Sequence, residues 1–268
     1  MSDNDTASLN QASREAWEQI APWWDDHIGA EGNAAHRLMI APAVERLLNL
    51  QSGEYVLDCA CGNGQFSRRL AQLGARVTAF DFSAAFLERA RAHTADPGPS
   101  NRINYHHCDA TDEAQLLAFG VGRFSAVVCL SALMDMPAIE PLFRALRQLL
   151  QPGGRFVFSI THPCFNSADG LLRVLTEEDR DGKMVETHAV QISRYLTPST
   201  HQGIGIVGQP APHYYFHRPL HVLFKAAFDA GFVMDGLEEP ETFQREGRGT
   251  FSWTNFPEIP PFLVVRLR

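Results

Sequence analysis

The chain has 268 residues, 45% hydrophobic and 20% charged, enough apolar side chain to bury a sizeable core in one large domain. Its 31 acidic residues outnumber 23 Lys and Arg, and the net charge of −8 argues against a partner held mainly through phosphates, nucleic acid included. It has no run of about eighteen apolar residues, and Met1-Ser-Asp-Asn-Asp5 lacks the basic-then-apolar pattern of an export signal. The expectation is a cytoplasmic protein that does not enter a membrane, with most of its five cysteines free, small and buried.

Residues 1–12 are polar and predict a frayed tail. From Ser13 a helical pattern places Ala16, Trp17, Ile20 and Ala21 on one face, and Pro22 is expected to end it. A second amphipathic segment, 36–50, repeats Leu38, Met39, Val44, Leu47 and Leu48 at helical spacing. Residues 1–50 are therefore read as a tail and helical lid preceding a main domain, 51–268.

From Glu54 onward β-type apolar runs alternate with helical periodicity, the pattern of a parallel sheet wrapped by helices. Strands are predicted at 55–59, 76–80, 103–107, 124–130 and 155–160, and helices at 64–73, 84–93, 113–119 and 139–150. Pro152-Gly-Gly154 is expected to turn the last helix into the fifth strand. Residues 162–217 break the alternation, with one strand-like segment at 185–195, and loops this long usually carry function, so they are read as a substrate-binding insertion. A helix at 219–230 and strands at 232–237 and 262–268 complete the chain. No helical crossover is evident between those two strands, so the last one is expected to run antiparallel. The fold class predicted is α/β: a doubly wound, mostly parallel seven-stranded, Rossmann-like sheet.

The first strand runs into Val56-Leu-Asp-Cys-Ala-Cys-Gly-Asn-Gly64, where small residues let a ligand approach the backbone and a helix N-terminus follows. A nucleotide-like cofactor suits such a turn. The third glycine of a dinucleotide fingerprint is missing, and no Gly-Lys-Ser/Thr follows, which argues against a nicotinamide dehydrogenase and a P-loop. Asp81 ends the second strand, where a carboxylate can accept from a ribose diol. Asp109 and Leu130 end the third and fourth strands.

The pattern Asp58-x-Ala-x-Gly-x-Gly64, with those three strand ends in order and Pro152-Gly-Gly154 before the fifth strand, resembles the class I S-adenosylmethionine-dependent methyltransferases. It is most similar to the small-molecule group that includes ubiquinone and menaquinone C-methyltransferases, strongly over 53–161 and with Ala60 in place of the family's first glycine. The resemblance implies S-adenosyl-L-methionine as cofactor, S-adenosyl-L-homocysteine as product and methyl transfer to a small-molecule acceptor by in-line displacement. It implies a cofactor site of Asp58, Ala60, Gly62, Asn63, Gly64, Asp81, Phe82, Ser83, Asp109, Ala110 and Leu130, with Asp81 on the ribose and Asp109 on the adenine amino group. A protein of the same fold that binds the cofactor without transferring methyl is the alternative.

Trp17, Trp23 and Trp24 are candidates for a lid over the cofactor, and Asn33, His36 and Arg37 for reaching its carboxylate. Only an acceptor with a departing proton needs a base, and His162 and Asp135, both at carboxyl edges of the sheet, are the catalytic candidates. His162, Tyr195, His201, Tyr214 and His217, within an aromatic and imidazole-rich cluster that also holds His213 and Tyr215, are candidates for lining the acceptor. No His or Cys spacing reproduces a zinc site, so no metal is expected.

Overall fold

A computed structural model describes residues 3–94, 102–166, 170–242 and 252–268. The chain begins with α1 (Asp3–Ile28), a π-helical turn (His36–Ile40) and α2 (Ala41–Leu48). Alternating strands and helices follow: β1 (Tyr55–Cys59), α3 (Gln65–Gln72), β2 (Arg76–Asp81), α4 (Ala84–His93), β3 (Ile103–His107), α5 (Glu113–Leu117), β4 (Phe124–Leu130), α6 (Glu140–Leu149) and β5 (Leu150–Thr161). Then come β6 (Leu171–Arg180), β7 (Lys183–Ile192), β8 (Ser199–Gly203), β9 (His213–His217), α7 (Leu220–Asp229), β10 (Met234–Glu238) and β11 (Phe262–Leu267).

Seven strands form one sheet in the order β10-β11-β5-β4-β1-β2-β3. β1 to β5 are parallel, and β11 lies antiparallel between β5 and β10, as the missing crossover predicted. β4 is buried along Phe124 to Cys129, as a central strand covered on both faces must be. Its side chains alternate between two cores: Val127 and Cys129 join Phe143, Phe156 and Phe158 on the α6 side, whereas Ala126 and Val128 join Val44, Leu48 and Leu70 on the α2 and α3 side. Ser83 caps α4, its Oγ accepting from Phe86 N at 3.1 Å, and Asp112 caps α5.

Three expectations are corrected. α1 starts at Asp3 and runs through Pro22, so the residues read as a frayed tail are helical. Proline removes one helical hydrogen bond there, but side-chain bonds from both halves of the helix to the sheet domain hold it. The Pro152-Gly-Gly154 turn lies inside the pairing of β5, because Phe124 pairs with Leu150 and Ala126 with Arg155, leaving the intervening residues as a bulge. The 162–217 segment, of which 167–169 lie outside the described residues, contains two antiparallel hairpins, β6–β7 and β8–β9, rather than one strand. Among the described residues no helix is long and apolar enough to cross a membrane.

Candidate cofactor and acceptor site

The strand order reverses between β1 and β4, so their carboxyl ends diverge and leave a crevice. Both strands leave the sheet through a non-glycine residue in the left-handed region, Ala60 at φ 52° and Ser131 at φ 53°. Above them lies a cavity partly open to solvent. Its wall includes Asp58, Ala60, Gly62, Asn63, Asp81, Phe82, Asp109, Ala110, Leu130, Trp24, His36 and Asp135, residues far apart in sequence that the topology brings together.

The glycine turn is shaped for a ligand. Gly64 has φ 73°, and a Cβ there would lie 2.3 Å from the Tyr105 hydroxyl, so the position is closed to other residues. A Cβ on Gly62 would meet nothing within 4 Å, so the space over its backbone is open. Asp81 braces the turn: its Oδ2 accepts from Gly62 N at 2.8 Å and its Oδ1 from Ser83 N at 2.9 Å. Each oxygen keeps lone-pair capacity for a further donor, which fits a vicinal diol. Burial pushes the Asp81 carboxyl up to about 6, opposed by the backbone amides of Ser83, Gly62 and Phe82 and aided by nearby Glu18. Asp58, beneath the turn, accepts from Ser67 Oγ at 2.5 Å and is pushed up to about 7, chiefly by burial. Gly64 and Ser83 support the wall from behind it, Gly64 as the residue before α3 and Ser83 as the cap of α4.

α1 closes one side of the cavity. Asn10 donates to Asp109 Oδ2 at 2.7 Å, and Ser13 Oγ donates to the Asp135 carbonyl at 3.0 Å. Glu18 accepts from Ser83 Oγ at 2.6 Å, and Asp25 accepts from Asn63 Nδ2 at 2.8 Å. These residues recur three or four apart, or at multiples of a helical turn, and so share one face with Trp17 and Trp24. That stripe was the sequence signal for Asn10, Glu18 and Asp25, none of which was singled out. Trp17 and Trp24 are on the wall, whereas Trp23 stacks on His27 at 4.7 Å away from it. His36 is on the wall, its Nδ1 facing Gln65 Nε2, and burial, with Arg37 beside it, lowers it to about 4. Asn33 accepts from His36 N at 2.9 Å, and Arg37 donates to the Gly32 carbonyl, so neither of the two points free toward a ligand.

Asp135 ends a 3-10 turn (Leu133–Asp135) after β4. Its Oδ1 is buried without a hydrogen-bond partner, 3.9 Å from His213 Nε2, and burial raises its carboxyl well above the ordinary range.

The other acceptor-side candidates lie off this wall. His162 is 3% exposed; its Nδ1 accepts from Cys164 N at 3.1 Å and its Nε2 pairs with Glu239 at 2.9 Å, so both ring nitrogens are engaged in holding the exit of β5. Tyr195 accepts from Leu220 N at 2.9 Å, and His217 bonds the Tyr195 carbonyl at 2.7 Å. His201 stacks on Tyr215 at 5.4 Å and Tyr214 on Phe216 at 6.3 Å, across the β8–β9 hairpin and along β9.

A doubly wound α/β domain with a glycine turn, a buried carboxylate beside it and an open crevice at its switch point is the frame of an enzyme that binds a nucleotide-like cofactor. A family model described as a methyltransferase domain matches residues 56–154. The ubiquinone biosynthesis O-methyltransferase of Aromatoleum aromaticum is 33% identical over 147 residues, 54% of this chain and 59% of that one. The corresponding protein of Xanthomonas axonopodis pv. citri is 32% identical over 158 residues, 58% of this chain and 62% of that one. This chain thus spans about three-fifths of the length of these curated relatives. An S-adenosylmethionine dependent methyltransferase from Mesorhizobium loti superposes with a TM-score of 0.65 at 28% identity, covering 90% of this chain and 100% of that one. Residues 56–154 thus carry a methyltransferase domain, and most of the chain has the fold of an S-adenosylmethionine dependent methyltransferase.

Proposed function

We propose that this protein transfers the methyl group of S-adenosylmethionine to a small-molecule acceptor by in-line displacement. The observation that carries the reading is Asp81 at the cavity wall, one oxygen on Gly62 N of the glycine turn and the other on Ser83 N, each with capacity left for a diol, beside the open space over Gly62. When bound, S-adenosylmethionine supplies an electrophilic methyl group on a sulfonium. Gly62, Asn63 and Gly64 shape the turn that receives it, with Asp58 and Ser83 bracing that turn. Asp81 accepts from the ribose, and Phe82, Asp109 and Ala110 flank the adenine. Ala60, Leu130 and His36 face the methionine end, and Trp24 excludes water from above. Asp135 stands on the acceptor side of the same cavity.

The division of the chain into a lid (1–50) and a methyltransferase domain (51–268), with 162–217 over the acceptor, is part of the proposal. It is supported by the bonds from α1 across the cavity and by His213 beside Asp135. Cytoplasmic action without nucleic acid is also proposed, supported by the free cysteines and the charge of −8. The names of the curated relatives favour a small biosynthetic acceptor. The experiment is incubation with methyl-labelled S-adenosylmethionine and a panel of phenols, enols and amines. Label on an acceptor with equimolar S-adenosylhomocysteine is expected; cofactor binding with no turnover across the panel contradicts the proposal.

A further inference from the structure

We infer that His213, fixed in one tautomer by Gln209, works with Asp135 to select an acceptor that presents a hydroxyl group and to take the proton of that hydroxyl. The inference rests on the methyl-transfer reading and assigns the acceptor side of the same cavity.

The tautomer follows from hydrogen-bond bookkeeping. Gln209 is buried, and its Oε1 faces two donors, Trp24 Nε1–H at 3.1 Å and Gly205 N–H at 3.1 Å. Only the carbonyl oxygen of an amide meets two donors, so the orientation of the side chain is fixed. Nε2 of Gln209 then donates to the Ala211 carbonyl at 2.5 Å and to His213 Nδ1 at 3.0 Å. Nδ1 is therefore an acceptor, and the proton of the ring sits on Nε2. Burial, with His201 nearby, lowers His213 to about 4, so the ring is neutral at pH 7.

The ring is held in place. Trp17 and Tyr215 pack on it at 4.4 Å each, with Trp24 edge-on at 6.2 Å. A Cβ on Gly205 would lie 3.1 Å from His213 Cε1, so that loop packs tightly against the ring. The Asp135 turn is fixed just as firmly. Ser13 holds the Asp135 carbonyl, and Arg218 donates to the Leu133 and Met136 carbonyls at 3.2 and 2.6 Å.

Two groups thus meet at one point, an Nε2–H donor and, 3.9 Å away, a carboxyl oxygen with no partner. A hydroxyl is both donor and acceptor, so it satisfies the two together. An ammonium only donates and meets the Nε2–H with like polarity. In the reaction the hydroxyl oxygen forms the bond to the methyl carbon, and the methyl–sulfur bond breaks with its electron pair going to sulfur. The hydroxyl proton passes to Oδ1 of Asp135 in its ionised form, which burial makes a stronger base than an exposed carboxylate. Sulfonium and carboxylate become thioether and neutral acid, so charge is conserved. Asp135 is the catalytic residue, and His213 and Gln209 are positioning residues.

The test uses the full chain labelled with 15N-histidine and saturated with S-adenosylhomocysteine. The ring nitrogen shifts of His213 are expected to show bare Nδ1 and protonated Nε2; an imidazolium or the Nδ1–H form overturns the inference without any variant. In Gln209→Glu a carboxylate oxygen faces Nδ1, and a proton is expected to appear there. The protein is then titrated with 4-nitrocatechol and 4-nitrobenzylamine. Wild type is expected to bind the catechol as its coloured phenolate, at least about tenfold tighter than the amine. Asp135→Asn and His213→Phe are expected to lose about tenfold of that affinity, the cost of one charge-assisted bond. No catechol binding by wild type, tighter amine binding, or variants that bind the same ionised catechol equally well overturns it. S-adenosylhomocysteine titration of each protein separates the two readings: wild type that fails to bind it contradicts methyl transfer itself.

Discussion

Asp25 on α1 accepts from the amide of Asn63 in the glycine turn at 2.8 Å, and the same oxygen lies 2.8 Å from His93 Nε2 on α4. One buried carboxylate therefore ties α1, the glycine turn and α4 together. Asp25→Ala leaves Asn63 and His93 without that acceptor, and a loss of about 2–4 kcal/mol in stability is expected. Denaturant titration checks this. S-adenosylhomocysteine affinity is expected to fall with it, because Asn63 loses the group that orients it.

The two adjacent tryptophans on α1 are expected to behave differently. Trp24 is on the cavity wall and donates to Gln209, so Trp24→Ala is expected to weaken cofactor binding about tenfold or more. Trp23, stacked on His27, lies away from the wall, and Trp23→Ala is expected to leave affinity within about twofold. Calorimetric titration of both variants distinguishes a lid from a packing helix; equal effects contradict the lid.

Ala60 occupies a left-handed backbone at φ 52°, which costs an L-residue about 1–2 kcal/mol. Ala60→Gly removes that cost and adds about 0.5–1 kcal/mol of unfolded-chain entropy. A net gain of up to about 1 kcal/mol in stability is expected by denaturant titration, with cofactor affinity retained.

Asp81 gives opposite pH trends for folding and binding. Its carboxyl is raised from 3.8 to about 6, so between these values the folded state holds more protons than the unfolded state. This contribution to stability is present at low pH and is lost as pH rises through about 6. Accepting from a ribose needs the ionised form, so S-adenosylhomocysteine affinity is expected to fall as pH drops below about 6. Binding measured from pH 5 to 8 is expected to show this slope in wild type and a weak, flat profile in Asp81→Asn.

Much of this architecture was legible in sequence because it rests on local patterns. β1, β3, β4 and α4 fall on their predicted limits, since strand alternation and the Ser83 cap are local signals. The glycine turn and Asp81 were readable for the same reason. The helical start of α1 was not, because Asn10 is stabilised by Asp109, ninety-nine residues away. Within the hairpins at 171–217 the strand-like segment 185–195 marked β7, whereas β6 and β8 were missed because their faces are largely polar and half exposed, which leaves no clean period of two. His162 looked functional from its place at a strand end, but Glu239, also distant in sequence, occupies its Nε2. The pairing of His213 with Asp135 depends on how β9 meets the turn after β4, which no local pattern encodes.

The central claim is that the crevice above β1 and β4 binds S-adenosylmethionine through Asp81. Calorimetric titration of S-adenosylhomocysteine into wild type and Asp81→Ala tests it most directly. One equivalent bound by wild type, with affinity at least about a hundredfold weaker in a folded Asp81→Ala, is the predicted result. Equal affinity in the two proteins, or no binding by wild type, would contradict it.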